Sequence, residues 1–328
     1  MTASTVAVVT DSGADLPAEL AATYGITVVP LDVRIGSLGP EVTRELTPPE
    51  FWQRCATTSA LPETSAPSPG AFRDAFLEAA RGGAEGVVCL TLSSALSATY
   101  QAALAGAAEA APEVTVEVVD SRFATMGEGL LAIEAAELAR RGETLERCAA
   151  AVRAAIGRTE VFGTLDTLDN LRRGGRIGGA QAFLGSLLSI KPVIEVRDGK
   201  VEAESRQRTR ARSLSYLVDR LAAVGPIERL AVVHAAAGDI EELLALVGRV
   251  FPREQTIVAW IGPVIGAHTG RGTVGMCVLR PERTGAAVTG RPAGEAGGDG
   301  QAGGDGQAGG KQAPDAEHPA GDPTRRDQ

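Results

Sequence analysis

The chain lacks the sequence motifs of the common nucleotide, metal and hydrolase sites. Its 328 residues contain no GxxxxGK[ST] phosphate loop, no HExxH, no paired CxxC and no GxSxG. No GxGxxG follows a predicted strand and opens a helix. We therefore expect no nucleotide cofactor and no metal.

Acidic residues outnumber basic ones. The formal net charge is −9 and there is no long basic run, so the electrostatic footprint of a nucleic-acid-binding protein is missing. No stretch reaches the roughly 18 apolar residues of a membrane span, and the N-terminus lacks a charged segment followed by an apolar one. We expect a cytoplasmic protein with no nucleic-acid partner and no stable membrane insertion.

Cysteine and histidine are few. The four cysteines are widely spaced, and Cys89 and Cys277 lie within apolar runs, so free thiols are expected rather than disulfides or zinc ligands. His318 lies near the C-terminus, and His234 ends an apolar run, where a histidine at a strand end is the ordinary interpretation. His268 is left as the candidate for a functional histidine.

The first part of the chain alternates short β-branched runs with helical stretches, which is the rhythm of βαβ units on a parallel sheet. The predicted strands are TVAVVT, ITVVPL, GVVCLTL and TVEVVD, and two alanine-rich helices follow near 126–141 and 144–157. Ligands of such sheets bind at the carboxyl ends of the strands. Three polar loops fall at those ends, at residues 10–13, 92–99 and 120–122.

The second part has strands with shorter connections. These strands are VFGTLD, KPVIEV, KVEAESR, RLAVVHA, QTIVAWIG and TVGMCVLR. Asp198 and Gly199 predict a two-residue hairpin, because a type I′ turn needs positive φ at both central positions. We predict two α/β domains: residues 1–158 with a parallel sheet, and residues 159–283 with a largely antiparallel sheet. Residues 284–328, rich in glycine and alanine with a repeated AGGDGQ, are expected to be disordered.

Hydroxyl side chains cluster in two segments that precede predicted helices. Ser97 follows the strand GVVCLTL; an ordinary N-cap is its simpler interpretation, but a helix N-terminus is also suited to an anion such as a carboxylate. Thr64 and Ser65 lie in TSAPSPGAF, where Ser68 is expected to cap the next helix with Pro69 in its first turn.

Two glycine-rich segments lie in the second part of the chain. His268 lies in GPVIGAHTGRGT, whose glycines allow turns that aim N–H groups at an anion, although a surface turn with an exposed histidine fits as well. In LDNLRRGGRIGG, Gly174 is expected to follow a helix C-terminus that Arg172 and Arg173 complement. Arg176 can then pair with a phosphate or a partner's carboxylate, and a solvated surface arginine is nearly as good an interpretation.

Taken together, these segments resemble the DegV family of fatty-acid-binding proteins. The resemblance runs in order from Val6 to about Leu279 through TDSGADLP, TSAPS, LSSALSATYQ, VVDSR, LDNLRRGGRI, LLSIKPVIEV and GPVIGAHTGRGT. Each motif is weak alone, and their shared order over most of the chain carries the resemblance.

The resemblance implies a protein that encloses one long-chain fatty acid, such as palmitate or oleate, between its two domains. It assigns the carboxylate to Thr64 and Ser97, with Ser65 nearby, and places His268 beside it, where a buried histidine next to an anion is expected to be charged. Family members look like carriers that present the acid to a dihydroxyacetone-kinase-like fatty acid kinase subunit, which makes acyl phosphate for phospholipid synthesis. In that scheme Arg176 contacts the kinase or the transferred phosphate, and the chain itself is not an enzyme.

Two positions depart from the family pattern, and two other functions stay open. The glycine of LSGTY is Ala98 here, and the proline of GxHxGPG is Arg271, an extra positive charge near the expected mouth. A serine hydrolase or acyltransferase would use Ser97 as nucleophile and His268 as base, with Asp11 or Asp120 orienting the imidazole, but Ser97 has no nucleophile-elbow sequence. A lipid sensor or transporter without a kinase partner would leave Arg176 without a role.

Overall fold

The computed structural model describes residues 5–58, 60–183 and 190–282. The segment 284–328, predicted to be disordered, lies outside these ranges, as does part of LLSIKPVIEV. Within the described ranges, no helix is long and apolar enough to cross a bilayer.

Twelve strands in the described residues form three sheets. In chain order the strands are β1 (Val6–Asp11), β2 (Ile26–Val29), β3 (Asp32–Arg34), β4 (Glu63–Ser65), β5 (Gly86–Thr91), β6 (Thr115–Asp120), β7 (Thr159–Thr164), β8 (Lys191–Arg197), β9 (Lys200–Gln207), β10 (Arg229–His234), β11 (Thr256–Trp260) and β12 (Val274–Leu279).

Eleven α-helices and three short 3-10 helices connect the described strands. The α-helices are α1 (Ala18–Tyr24), α2 (Pro40–Thr43), α3 (Pro48–Thr57), α4 (Pro69–Arg81), α5 (Thr99–Ala110), α6 (Met126–Arg140), α7 (Leu145–Ile156), α8 (Asp169–Arg173), α9 (Arg210–Ala223), α10 (Ile240–Val247) and α11 (Pro263–Thr269). The 3-10 helices are Ser12–Ala14, Gly178–Phe183 and Arg253–Gln255.

The first sheet is parallel, with the strand order β2-β1-β5-β6, as the sequence predicts. Every residue of β5 is buried, because helices cover both faces of the sheet. Val87 and Cys89 pack with Phe72 of α4, whereas Val88 and Leu90 belong to the core that α6 and α7 complete. The alternation of side chains along β5 thus supplies both cores.

The second sheet has the order β11-β10-β12-β7-β8-β9 and is largely antiparallel, with one parallel pair, β10 and β11. The predicted hairpin between β8 and β9 is confirmed, since Asp198 and Gly199 have φ of 51° and 80°. This mixed sheet and the parallel one establish the α/β fold.

A third, two-stranded sheet pairs β3 with β4 in antiparallel register, with Thr64 opposite Val33. Thr64 is therefore held in a paired strand before α4 begins. This pairing is not predicted from the sequence. The predicted start of α4 is confirmed, because the Ser68 hydroxyl accepts from the N–H of Ala71 at 3.2 Å and Pro69 is the first residue of the helix.

Helix α6 packs against strands of both large sheets, so a shared core includes Leu130 and Leu131 of α6 together with Val161 of β7 and Val233 of β10. The division of the chain near residue 158 stays a prediction. All four cysteines are free, and three of them, Cys89, Cys148 and Cys277, are buried.

Candidate functional site

One face of the second sheet, α11 and the segments at the ends of β4 and β5 surround a cavity that opens to the surface. Most of its lining is apolar, including Leu31, Leu92, Leu96, Val161, Leu165, Leu171, Ile194, Val196, Val201, Val233, Ile261, Val264, Ile265 and Val274. Its polar lining includes all five residues predicted from the sequence: Thr64, Ser65, Ser97, Arg176 and His268. The tertiary structure therefore gathers the predicted residues around one space.

Thr64 and His268 are in direct contact within this lining. Thr64 Oγ1 lies 2.9 Å from Nε2 of His268, and both side chains are partly buried. Ser65 also lines the cavity and is more exposed than Thr64. This pair forms one wall of the polar end of the cavity.

His268 lies on a helix, not in the glycine-rich turn that the sequence suggested. Pro263 is the first residue of α11, where its missing N–H is not needed, and Gly262 is the N-cap. The N–H of Gly262 donates to Oδ1 of Asp15 at 2.9 Å, and the indole N–H of Trp52 donates to the carbonyl of Ile261 at 2.9 Å. These two contacts fix the start of the helix that carries His268.

The protein's own groups favour the neutral form of His268. Burial and the positive charge of Arg176 lower its pKa to about 4. The protein groups around His268 therefore do not support the charged ring that the resemblance implied. A carboxylate bound next to the ring would raise its pKa. Nδ1 is buried and has no hydrogen-bond partner in the described residues.

Helix α8 packs against α11 next to that ring. Nδ2 of Asn170 donates to the carbonyl of Ala267 at 3.2 Å. A Cβ placed on Gly174 would overlap Nδ1 of His268, so only glycine leaves room for the ring. Any residue can adopt the φ of −75° that Gly174 has. Glycine is needed at this position because the His268 ring packs so closely against it.

The residue with the left-handed conformation after α8 is Gly175, with φ of 70°, and not Gly174 as predicted. The N–H of Arg176 donates to the carbonyl of Leu171 at 2.9 Å and that of Gly175 to the carbonyl of Arg172 at 3.1 Å. These two bonds form a Schellman motif. The motif turns the chain so that Arg176 is directed back to the cavity.

The guanidinium of Arg176 bridges the two sides of the cavity mouth. Its Nε donates to the carbonyl of Leu96 at 3.0 Å, and an Nη donates to the carbonyl of Gly174 at 2.6 Å. Arg176 is an exposed residue that also lines the cavity. Arg271, in contrast, is exposed and is not part of the lining.

Residues 92–99, which we name the serine loop, are held at several points. Ser93 Oγ donates to the carbonyl of Gly199, at the tip of the β8–β9 hairpin, at 2.7 Å. The N–H of Ser94 donates to Oδ1 of Asp120 at 3.1 Å. The hairpin tip is further held by an ion pair between Arg122 and Asp198 at 3.3 Å. Two of the three predicted polar loops thus meet at this point.

Ser97 is not the N-cap that the sequence suggested, because α5 begins at Thr99 with Ala98 as its N-cap. The Ser97 hydroxyl lies 2.8 Å from the hydroxyl of Thr99 and accepts from the N–H of Thr99 at 3.3 Å. Ala98 has φ of −78°, a conformation open to any residue, so the departure from the family glycine creates no backbone strain.

Sequence reasoning missed the contribution of Asp11. It lies in a predicted polar loop but does not line the cavity; its carboxylate instead accepts the N–H of Leu92 at 2.9 Å and so holds the start of the serine loop. The signal that was available is an aspartate directly after an apolar strand.

Fold and site define a class: an α/β protein with an apolar cavity that ends in hydroxyls, a histidine and an arginine. Such a cavity is suited to an amphipathic molecule with an anionic head. The family profile of DegV, described as uncharacterised proteins, matches residues 5–280. The chain belongs to the DegV family.

Individual relatives agree with this assignment. A DegV domain-containing protein of Streptomyces coelicolor is 39% identical over 277 residues, which cover 83% of this chain and 98% of the relative. A fatty-acid-binding DegV family protein from Thermus thermophilus has a TM-score of 0.75 at 34% identity, covering 84% of this chain and 99% of its own. A stearic-acid-binding protein from Eubacterium ventriosum has a TM-score of 0.73 at 25% identity, covering 83% and 97%.

Proposed function

We propose that this protein binds one long-chain fatty acid in the cavity and presents it to a separate kinase that forms the acyl phosphate. The observation that carries the proposal is the contact between Thr64 and His268 at the polar end of an otherwise apolar cavity. Fatty-acid binding by the Thermus thermophilus and Eubacterium ventriosum proteins supports the same class of ligand.

The carboxylate is assigned to Thr64, Ser65, Ser97 and His268. When Nε2 of His268 carries the ring proton, it donates to Thr64 Oγ1, and the hydroxyl hydrogen of Thr64 is then available to the ligand. The neutral ring that the low pKa indicates is compatible with this chain of donors.

The apolar lining accounts for the tail. A palmitate tail has about 14 methylenes, and at roughly 0.8 kcal/mol for each one buried the gross transfer free energy is about 11 kcal/mol, before the costs of association. Burial of the tail therefore provides most of the affinity. The polar end then has to replace the hydrogen bonds that the carboxylate loses with water.

A carrier role agrees with the chemistry of the lining. Phosphorylation of a carboxylate needs ATP and magnesium, and the sequence has no nucleotide motif, so we assign this step to a dihydroxyacetone-kinase-like partner. Arg176 is exposed at the mouth, which suits it for contact with the kinase or with the transferred phosphate. Acyl phosphate made in this way would feed phospholipid synthesis.

The alternative, a hydrolase or acyltransferase, has less support from the geometry. The hydroxyl of Ser97 is bonded to Thr99, and Nε2 of His268 is bonded to Thr64. The acids proposed to orient the imidazole are engaged elsewhere: Asp11 with backbone N–H groups and Asp120 with Ser94. A fluorophosphonate that labelled Ser97 stoichiometrically would favour the hydrolase instead.

Native mass spectrometry of the purified protein, followed by denaturing extraction, tests the proposed ligand. We expect a single fatty acid at near-equal stoichiometry, or uptake of one added palmitate, stearate or oleate by delipidated protein. Protein that contains no fatty acid and takes up none of the three would contradict the proposal.

A further inference from the structure

Behind the wall of the cavity lie two carboxyl groups that the proposed function does not use. Asp11, at the end of β1, and Glu128, in the first turn of α6, are both fully buried. An isolated buried charge is costly, so such a pair needs a specific arrangement of protons and hydrogen bonds.

The Asp11 side chain is surrounded by donors suited to a carboxylate. Oδ1 accepts from the N–H of Gly13 at 2.7 Å, and Oδ2 accepts from the N–H of Leu92 at 2.9 Å. Backbone N–H groups cannot be turned to become acceptors, so both bonds require oxygen lone pairs on Asp11. They favour the ionised form of this residue.

Glu128 has the complementary surroundings. Its Oε1 accepts from the hydroxyl of Thr10 at 2.7 Å. Its carboxyl also accepts from the backbone N–H of Asp11 and is the side-chain hydrogen-bond partner of the Asp11 carboxyl. Oε2 is buried and accepts from no donor in the described part of the chain. Two ionised carboxylates cannot donate to each other, so the contact needs a proton. Asp11 accepts two backbone N–H groups and Glu128 accepts one, which favours the proton on Glu128.

The titration behaviour agrees with a shared proton. Burial raises the pKa of Asp11 to about 7 and raises that of Glu128 well above its ordinary value, to which the charge of Asp11 adds. Asp15, whose own pKa burial raises to about 7, further raises the pKa of Glu128. Burial, together with the charges of the pair, raises the pKa of the Cys89 thiol well above its ordinary value.

This pair is connected to the polar end of the cavity through Leu92. Leu92 lines the cavity and is the first residue of the serine loop, which ends in Ser97 and Thr99. Asp11 therefore fixes the point at which the loop leaves β5, while Ser93 is held separately by the hairpin tip.

Building on the proposed function, we propose that Asp11 is a positioning residue for the carboxylate of the ligand: ionised Asp11, hydrogen-bonded to protonated Glu128, holds the serine loop where Ser97 meets the head of the fatty acid.

Two variants of the same size as the native residues separate the roles of the pair. Asp11→Asn exchanges one acceptor oxygen for an amide that faces the N–H of Leu92 or of Gly13, so the start of the loop loses one of its two supporting bonds. Glu128→Gln keeps an acceptor for Thr10 and an N–H donor for Asp11, so the loop keeps both bonds. The readout is the affinity for palmitate relative to 1-hexadecanol, which has the same tail and no carboxylate.

For Asp11→Asn we expect the preference for palmitate over 1-hexadecanol to fall about tenfold, which corresponds to loss of one hydrogen bond to a charged group. For Glu128→Gln we expect it to stay within about twofold. An unchanged preference in Asp11→Asn, or an equal loss in both variants, would overturn the assignment.

Infrared spectroscopy tests the protonation of the pair without the Asp11→Asn variant, in case that variant does not fold. At pH 7 the difference spectrum between wild type and Glu128→Gln should contain the C=O stretch of one protonated carboxylic acid; its absence would refute proton sharing. If wild type binds neither lipid, the proposed function fails, and the infrared result still decides the state of the pair.

Discussion

Thr64 and His268, which are 204 positions apart in the sequence, meet at 2.9 Å between Oγ1 and Nε2. Thr64 is held by the pairing of β4 with β3, and His268 by α11, whose N-terminus is fixed by Asp15 and Trp52. The contact thus joins β4 and α11 at the polar end of one cavity.

Removing the Thr64 hydroxyl should weaken fatty-acid binding while the shape of the side chain is kept. We expect Thr64→Val to lose about 1 to 3 kcal/mol of palmitate binding free energy, the range for a hydrogen bond to a charged group, and Ser97→Ala to lose a similar amount. Calorimetric titration of delipidated protein measures this. Thr269→Val is the matched control, because Thr269 also lines the cavity but donates its hydroxyl to the carbonyl of Ile265. Equal losses at Thr64 and Thr269 would show that the carboxylate lies elsewhere.

His268 should titrate near pH 4 in ligand-free protein, well below an ordinary histidine, because it is buried and lies near Arg176. Removing that charge in Arg176→Ala should raise its pKa. NMR titration of the imidazole resonances, with His268→Gln for assignment, measures both values. A pKa near 6.5 in wild type would contradict the burial of the ring.

Gly174→Ala should weaken palmitate binding, because the new methyl group would overlap Nδ1 of His268 and displace the ring from Thr64. Gly157→Ala is the matched control, since Gly157 also ends a helix with an ordinary φ of −69°, and a Cβ added there would meet no atom closer than 3.8 Å. The palmitate affinity of both variants is the measurement. Wild-type affinity in Gly174→Ala would show that palmitate binding does not depend on the position of the His268 ring.

Stability should depend on pH through the buried acids. A carboxyl whose pKa is raised by folding holds a proton that the unfolded chain releases near pH 4, so its stabilising effect is full below that pH and is lost as pH rises through its folded pKa. This applies to Glu128 and to Asp15, for Asp15 up to about pH 7. His268, with a lowered pKa, acts oppositely between about pH 4 and 6.5.

The pH dependence that is due to Glu128 can be separated from that of His268 by comparing wild type with Glu128→Gln. The unfolding free energy of Glu128→Gln relative to wild type should increase from pH 5 to pH 8, measured by urea denaturation. Glu45→Gln, a change at an exposed glutamate, should give a constant difference. A pH-independent difference for Glu128→Gln would mean that the Glu128 carboxyl has the same pKa in the folded and unfolded states.

Arg176→Ala should retain palmitate binding but lose acyl-phosphate formation when the kinase subunit and ATP are added. Arg173→Ala is the control, because Arg173 is an exposed arginine of α8 that does not line the cavity. Phosphate transfer from labelled ATP to bound fatty acid is the assay. Loss of binding in Arg176→Ala would instead show that Arg176 has a structural role, through its bond to the carbonyl of Leu96.

The sequence by itself determined the features that depend on neighbouring residues. The strands of the parallel sheet, the Asp198-Gly199 hairpin and the Ser68 cap follow from side-chain period, positive φ and local hydrogen bonds, and all of them are confirmed. The ordered motifs also indicated the family and the five candidate residues.

Only the tertiary structure decided how those residues meet. The pairing of β3 with β4, the helix under His268, the Schellman motif that directs Arg176 and the bond from Leu92 to Asp11 all depend on partners that are distant in sequence or on packing around a glycine. Periodicity carries no information on such contacts, because a side chain's period fixes the face it occupies and not the element that covers that face.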